Sequence, residues 1–84
     1  MIPSPHLVIT PGDEGGVVLN KKTGDYFRLN LLGLTVITMI NEGQDEGAIV
    51  RRLQSQYPES AARIPTDVAK LVGDMVDAKL VSKK

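Results

Sequence analysis

Val17-Val18-Leu19-Asn20-Lys21-Lys22-Thr23-Gly24-Asp25-Tyr26-Phe27-Arg28-Leu29-Asn30 reads as two short strands joined by a glycine turn, with a helix opening at its end. Val17–Lys21 and Asp25–Leu29 are rich in β-branched, aromatic and aliphatic residues. Lys22-Thr23-Gly24 fits a short hairpin loop in which Gly24 takes a positive φ. Asn30 is a good N-cap, because its side-chain oxygen can accept an orphan backbone amide. The strand Asp25–Leu29 contains no proline and is expected to end a small sheet. A bare strand edge of that kind can accept another chain as an extra strand.

Upstream, His6-Leu7-Val8-Ile9-Thr10 lies between Pro5 and Pro11 and reads as the first strand. Pro3, Pro5 and Pro11 lack amide hydrogens, so they suit an edge that is not to be extended. Gly12-Asp13-Glu14-Gly15-Gly16 is a turn-rich connector. Downstream, a first helix is expected from Leu31 to about Asn41, with Leu32, Val36, Met39 and Ile40 on one face and Ile37 beside them. Thr35-Val36-Ile37-Thr38 is β-branched throughout, which weakens helicity and keeps a buried strand as a competing reading. Length and the Asn30 cap favour the helix, and Gly43 stops it.

Asp45 is expected to cap a second helix ending near Gln56, with Ile49, Val50 and Leu53 as its apolar stripe. Tyr57-Pro58 closes it. Glu59–Ile64 reads as a loop. Pro65 or Thr66 starts a third helix, with Asp67 in the first turn and Val68, Leu71, Val72, Met75 and Val76 at helical spacing. Leu80-Val81 is expected to return to the core before a frayed basic tail, Lys83-Lys84. Three strands followed by three helices make an α+β protein with a three-stranded antiparallel sheet. In a simple meander the first and third strands are the edges.

The chain has 84 residues, read as one small domain spanning residues 1–84. Lysine plus arginine and aspartate plus glutamate both number 10, so the net charge is zero. That argues against strong nucleic-acid binding, in which phosphate contacts demand a basic surplus. The absence of cysteine excludes disulfides, thiolate catalysis and cysteine metal sites. Met1-Ile2-Pro3-Ser4-Pro5 shows no signal-peptide pattern, and no apolar run approaches the ~20 residues of a membrane span. A cytoplasmic protein with no membrane partner is expected. His6 is the lone histidine, so no metal site is expected. Asp67 and Asp74 have no partner motif for acid–base work, and Lys22-Thr23-Gly24 lacks the rest of a phosphate loop. Neither an enzyme nor a cofactor is expected.

The chain resembles the PqqD-like domains, also called RiPP recognition elements, and within them the stand-alone leader-binding proteins of lasso-peptide pathways. The resemblance rests on Gly24-Asp25-Tyr26-Phe27-Arg28-Leu29-Asn30 followed by Leu31-Leu32-Gly33. It continues through Asn41-Glu42-Gly43, Ile49-Val50-Arg51-Arg52-Leu53, Tyr57-Pro58, Asp67-Val68 with Leu71, Val72 and Met75, and Lys79-Leu80-Val81. Members often carry a bulky aromatic on the first helix. Here that region reads Val36-Ile37-Thr38-Met39, where Met39 can fill similar volume.

The resemblance implies a winged-helix-like fold without catalysis. It implies that the leader segment of a ribosomally made precursor peptide adds beside the third strand, in a groove shared with the third helix. It further implies presentation of the precursor to a leader protease, with a cyclase acting afterwards. Added-strand bonds would come from the backbone of Asp25–Leu29 and carry little sequence information. On this reading Phe27 and Leu29, with Val68, Leu71, Val72 and Met75, are candidate groove walls. Asp67, Lys70 and Asp74 are a candidate polar rim. Tyr26 and Arg28, on the other side of the strand, are candidate partner contacts. The alternative is a winged-helix DNA-binding or regulatory domain, against which neutral charge and the strands-first order weigh.

Overall fold

A computed structural model describes residues 1–82; the expected Lys83-Lys84 tail lies outside them. The elements in chain order are β1 (Ile2–Pro3), β2 (Leu7–Pro11), β3 (Gly15–Asn20), β4 (Tyr26–Asn30), α1 (Leu31–Asn41), α2 (Glu46–Gln56), α3 (Ile64–Asp77) and β5 (Val81–Ser82). A short 3-10 turn, Pro58–Ser60, joins α2 to α3. The class is α+β: an antiparallel meander, β2-β3-β4, followed by three helices.

The hairpin around Gly24 forms as its sequence dictates, and one buried side chain organises it. Asn20 Oδ1 accepts the amides of Lys22 (3.0 Å) and Thr23 (3.4 Å), an Asx turn that bends the chain out of β3. Gly24, at φ 81°, then donates its amide to the Asn20 carbonyl at 2.8 Å. The Asp25 amide is taken by Thr23 Oγ1 at 3.2 Å. Asp25 therefore belongs to the turn, and the expected third strand is displaced by one residue, to Tyr26–Asn30.

The expected second strand shifts the other way, ending at Asn20 and starting at Gly15. Gly15 and Gly16 belong to the strand because neighbouring backbones come too close for side chains. A Cβ on Gly15 would lie 2.0 Å from the Leu29 carbonyl oxygen, and one on Gly16 would lie 2.6 Å from that of Thr10. Gly15 also sits at φ 147°, a conformation that residues with side chains rarely adopt.

α1 occupies the expected span, and Asn30 Oδ1 caps it by accepting the Gly33 amide at 2.8 Å. The β-branched run is helical because Val36 and Ile37 are fully buried, and burial of such side chains, ~1.5–3 kcal/mol each, outweighs their weak propensity. Asp45 caps α2 through the Ala48 amide at 2.8 Å. α3 begins at Ile64, ahead of the expected Pro65 or Thr66, with proline in its first turn and Ile64 buried. Beyond its last residue, Asp77, the chain turns at Lys79, a non-glycine residue at φ 64°, whose neighbour Leu80 donates its amide to the Met75 carbonyl at 2.9 Å. This helix-terminating turn sends Leu80 and Val81 back into the core.

The core gathers Val18 from the sheet, Val36, Ile37 and Ile40 from α1, Ile49 and Leu53 from α2, and Val68, Val72 and Met75 from α3. One pairing has no counterpart in the sequence reading. β1 joins β5 antiparallel, with Pro3 opposite Val81 and Ile2 opposite Ser82. Pro3 thus serves this small ladder rather than guarding β2, and Pro5 precedes β2. Only Pro11, at the end of β2, remains as a guard on that edge.

Candidate functional site

The backbone of β4 frames the candidate site. The Lys21 amide bonds to the His6 carbonyl on the β2 side (2.9 Å), and the Asn20 amide to the Asp25 carbonyl on the β4 side (2.8 Å). Residues along a central antiparallel strand bond alternately to its two neighbours. With Val18 opposite Phe27 and Gly16 opposite Leu29, those two pairs carry the β3–β4 bonds. Tyr26 and Arg28 consequently turn their N–H and C=O groups to the open side, and Asn30 its N–H. β4 has β3 on one side alone. The same alternation leaves Leu7 and Ile9 outward on β2, so proline at Pro11 only partly closes that edge.

What sets β4 apart is the groove beside it. Phe27 and Leu29 are half-buried and alternate with exposed Tyr26, Arg28 and Asn30. A groove of about 280 Å³ runs between β4 and α3, with Phe27, Leu29 and Asn30 on one bank and Leu71, Asp74, Met75 and Ala78 on the other; Leu80 also lines it. It continues past Asn30 to Leu32, Asp67 and Lys70. The volume falls just under the ~300–1,000 Å³ of small-ligand pockets, a scale suited to individual side chains of an extended chain. Gly33 helps shape this end: a Cβ there would lie 3.3 Å from Asn30 Oδ1 and 3.4 Å from Leu29 Cβ.

The structure divides the residues singled out by sequence. Phe27, Arg28, Leu29, Leu71, Asp74 and Met75 border the groove, and Asp67 and Lys70 border its continuation. Val68 and Val72, 0% and 5% exposed, lie in the core and are absent from both linings. Asp25 sits in the turn. Tyr26, 69% exposed, stands on the other face of the sheet. Asp67 already faces a cation, with the Arg63 guanidinium 3.7 Å from its carboxylate, an exposed pair of ~0.3–0.5 kcal/mol.

The sequence pattern does not single out Asn30, Leu32, Gly33, Ala78 or Leu80 as lining residues. Ala78 was within its reach, because it continues the Leu71–Met75 spacing by one more turn. Asn30 was identified as a cap, and its second role as groove wall needs the third dimension. Among the described residues, no helix is long and apolar enough to cross a membrane, and no group of three or more histidine, aspartate or glutamate side chains could hold a metal ion.

Comparison with known proteins gives a family and two structures. The family model described as coenzyme PQQ synthesis protein D (PqqD) matches residues 15–81. No curated protein matches the chain. A solved structure of TbiB1 in complex with the TbiA(beta) leader peptide superposes with a TM-score of 0.88 at 23% identity, covering 100% of this chain and 98% of that one. A lasso peptide synthetase B1 complexed with the leader peptide superposes with a TM-score of 0.75 at 22% identity, covering 90% of this chain and 89% of that one. At these identities the likeness speaks for the fold.

Proposed function

The chain belongs to the PqqD family, and from that premise we propose that it is a non-catalytic adaptor, needing no cofactor, that binds the leader segment of a ribosomally synthesised precursor peptide. The leader adds as a strand along β4, with alternate side chains in the groove between β4 and α3. The observation that carries this reading is the pair of outward-facing peptide units at Tyr26 and Arg28 beside an apolar groove. Both structural neighbours were solved with leader peptides, which supports the same assignment.

The energetics are adequate. Two outward-facing residues offer two donors and two acceptors, and four hydrogen bonds at ~0.5–1.5 kcal/mol each give roughly 2–6 kcal/mol. Two or three anchored apolar side chains add ~1.5–3 kcal/mol each, and ordering a free peptide removes ~2–5 kcal/mol or more. The remainder corresponds to a Kd on the order of micromolar or somewhat tighter. Backbone bonds carry little sequence information, so the groove side chains decide which leader is kept. The bound leader is then presented to a leader protease, and the released core passes to a cyclase, as in a lasso-peptide pathway.

Calorimetry with a synthetic leader segment of the cognate precursor, lacking the core peptide, tests the proposal. Binding with NMR shifts along Tyr26–Asn30 and at Leu71, Asp74 and Met75 is the expected result. No heat and no shifts along β4 would overturn it.

A further inference from the structure

The groove accounts for only one face of a strand added at β4. Laterally paired residues of neighbouring strands share a face. Side chains beside Phe27 and Leu29 therefore enter the groove, while those beside Tyr26 and Arg28 alternate to the opposite, outer face, although Arg28 also touches the groove's edge. There the register aligns two rows, Val8–Leu19–Tyr26 and Thr10–Val17–Arg28. His6 and Lys21 form one further step.

None of these residues bears a carboxylate, and the formal charges among them are the cations Lys21 and Arg28. Arg28 is exposed, and among the described residues the one ion pair joins Arg63 to Asp67. The groove rim is of mixed charge, with Asp67, paired to Arg63, and Asp74 flanking Lys70. A docked strand thus meets the Arg28 cation on its outer face and a rim of mixed charge on the groove side.

We infer that the peptide accepted at β4 carries a carboxylate side chain beside Arg28, one residue out of phase with the apolar side chains that fill the groove. The ligand class is an extended peptide alternating apolar and acidic residues. This inference rests on the strand-addition reading proposed above. Opposite charges paired across strands at an exposed site change affinity by about two- to fivefold, less at high salt. The outer face therefore refines a choice that the groove has already made.

A display library of random short peptides, selected in parallel on the wild-type chain, Arg28→Glu and Arg28→Gln, tests it. NMR of the labelled protein with selected peptides reports where they bind. The wild-type chain is expected to enrich alternating apolar positions with aspartate or glutamate between them. Arg28→Glu should replace that acid with lysine or arginine, and Arg28→Gln should show neither preference. Exchanging the acid for lysine in a selected peptide should weaken wild-type binding about two- to fivefold at low salt. Alternating apolar selection with shifts along Tyr26–Asn30, but a charge preference that is absent or unaltered by Arg28→Glu, overturns this inference and leaves the proposed function standing. No alternation and no shifts along β4 overturns both.

Discussion

The Asn20 side-chain amide donates a hydrogen bond to the Lys79 carbonyl at 3.4 Å, joining residues 59 positions apart. One buried side chain, 4% exposed, thereby couples the turn that leads into β4 to the turn that ends α3. These are the two elements that bound the groove, so their spacing depends in part on a residue that never borders it.

Replacing Asn20 with alanine removes the acceptor of the Lys22 and Thr23 amides and the donor to Lys79. Leaving such groups without partners costs ~1–3 kcal/mol. Urea denaturation of Asn20→Ala should show a loss of about that size with an unchanged slope. An unchanged midpoint would mean that solvent takes over all three bonds.

Gly15 and Gly24 both have positive φ, yet their alanine variants should differ sharply. Nothing lies within 4 Å of a Cβ on Gly24, so Gly24→Ala costs only the left-handed backbone penalty, about 1–2 kcal/mol. Gly15→Ala adds a collision with the Leu29 backbone and should cost well over ~3 kcal/mol or prevent folding. Thermal unfolding of the two proteins side by side checks the order.

Prolines at adjacent positions of β4 should separate the open edge from the ladder. Tyr26→Pro removes an outward-facing amide and should keep the circular dichroism of the fold while weakening leader binding about tenfold or more, a loss of ~1.4 kcal/mol. Phe27→Pro removes an amide bonded to β3 and should unfold the sheet. If Tyr26→Pro bound the leader as well as wild type, strand addition at β4 would be wrong.

On α3, neighbouring apolar residues should report different things. Leu71→Ala trims the groove and should weaken leader binding about tenfold, ~1.4 kcal/mol, with a small change in stability. Val72→Ala leaves a cavity in the core and should cost roughly 1–3 kcal/mol of stability with little change in Kd while folded. Leu29→Asp should weaken binding, with circular dichroism separating loss of the groove from loss of the fold. Calorimetry and urea titration on the same preparations give both axes.

The hairpin, the Asn30 and Asp45 caps and all three helices were legible because each is written locally, in turn chemistry, capping side chains and apolar spacing. The structure departs from the sequence wherever a partner remote in the chain intervenes. Gly15 and Gly16 look like a loop until Leu29 and Thr10 press against them. Pro3 looks like a strand guard until Val81 pairs with it. The site follows the same rule. Val68, Leu71, Val72 and Met75 form one broad stripe in sequence, and packing alone assigns Val68 and Val72 to the interior, Leu71 to the groove wall and Met75 to both.

The Asn30 cap has one more effect. By turning β4 into a helix immediately after the strand, it ends the exposed ladder just past the outward-facing backbone of Tyr26 and Arg28. Fibrils grow where a long, flat edge templates one chain after another. An edge cut this short holds little by backbone alone, so copies of the protein gain little from stacking there. The same cap that begins α1 is thus a safeguard against aggregation at the very edge left open for a peptide.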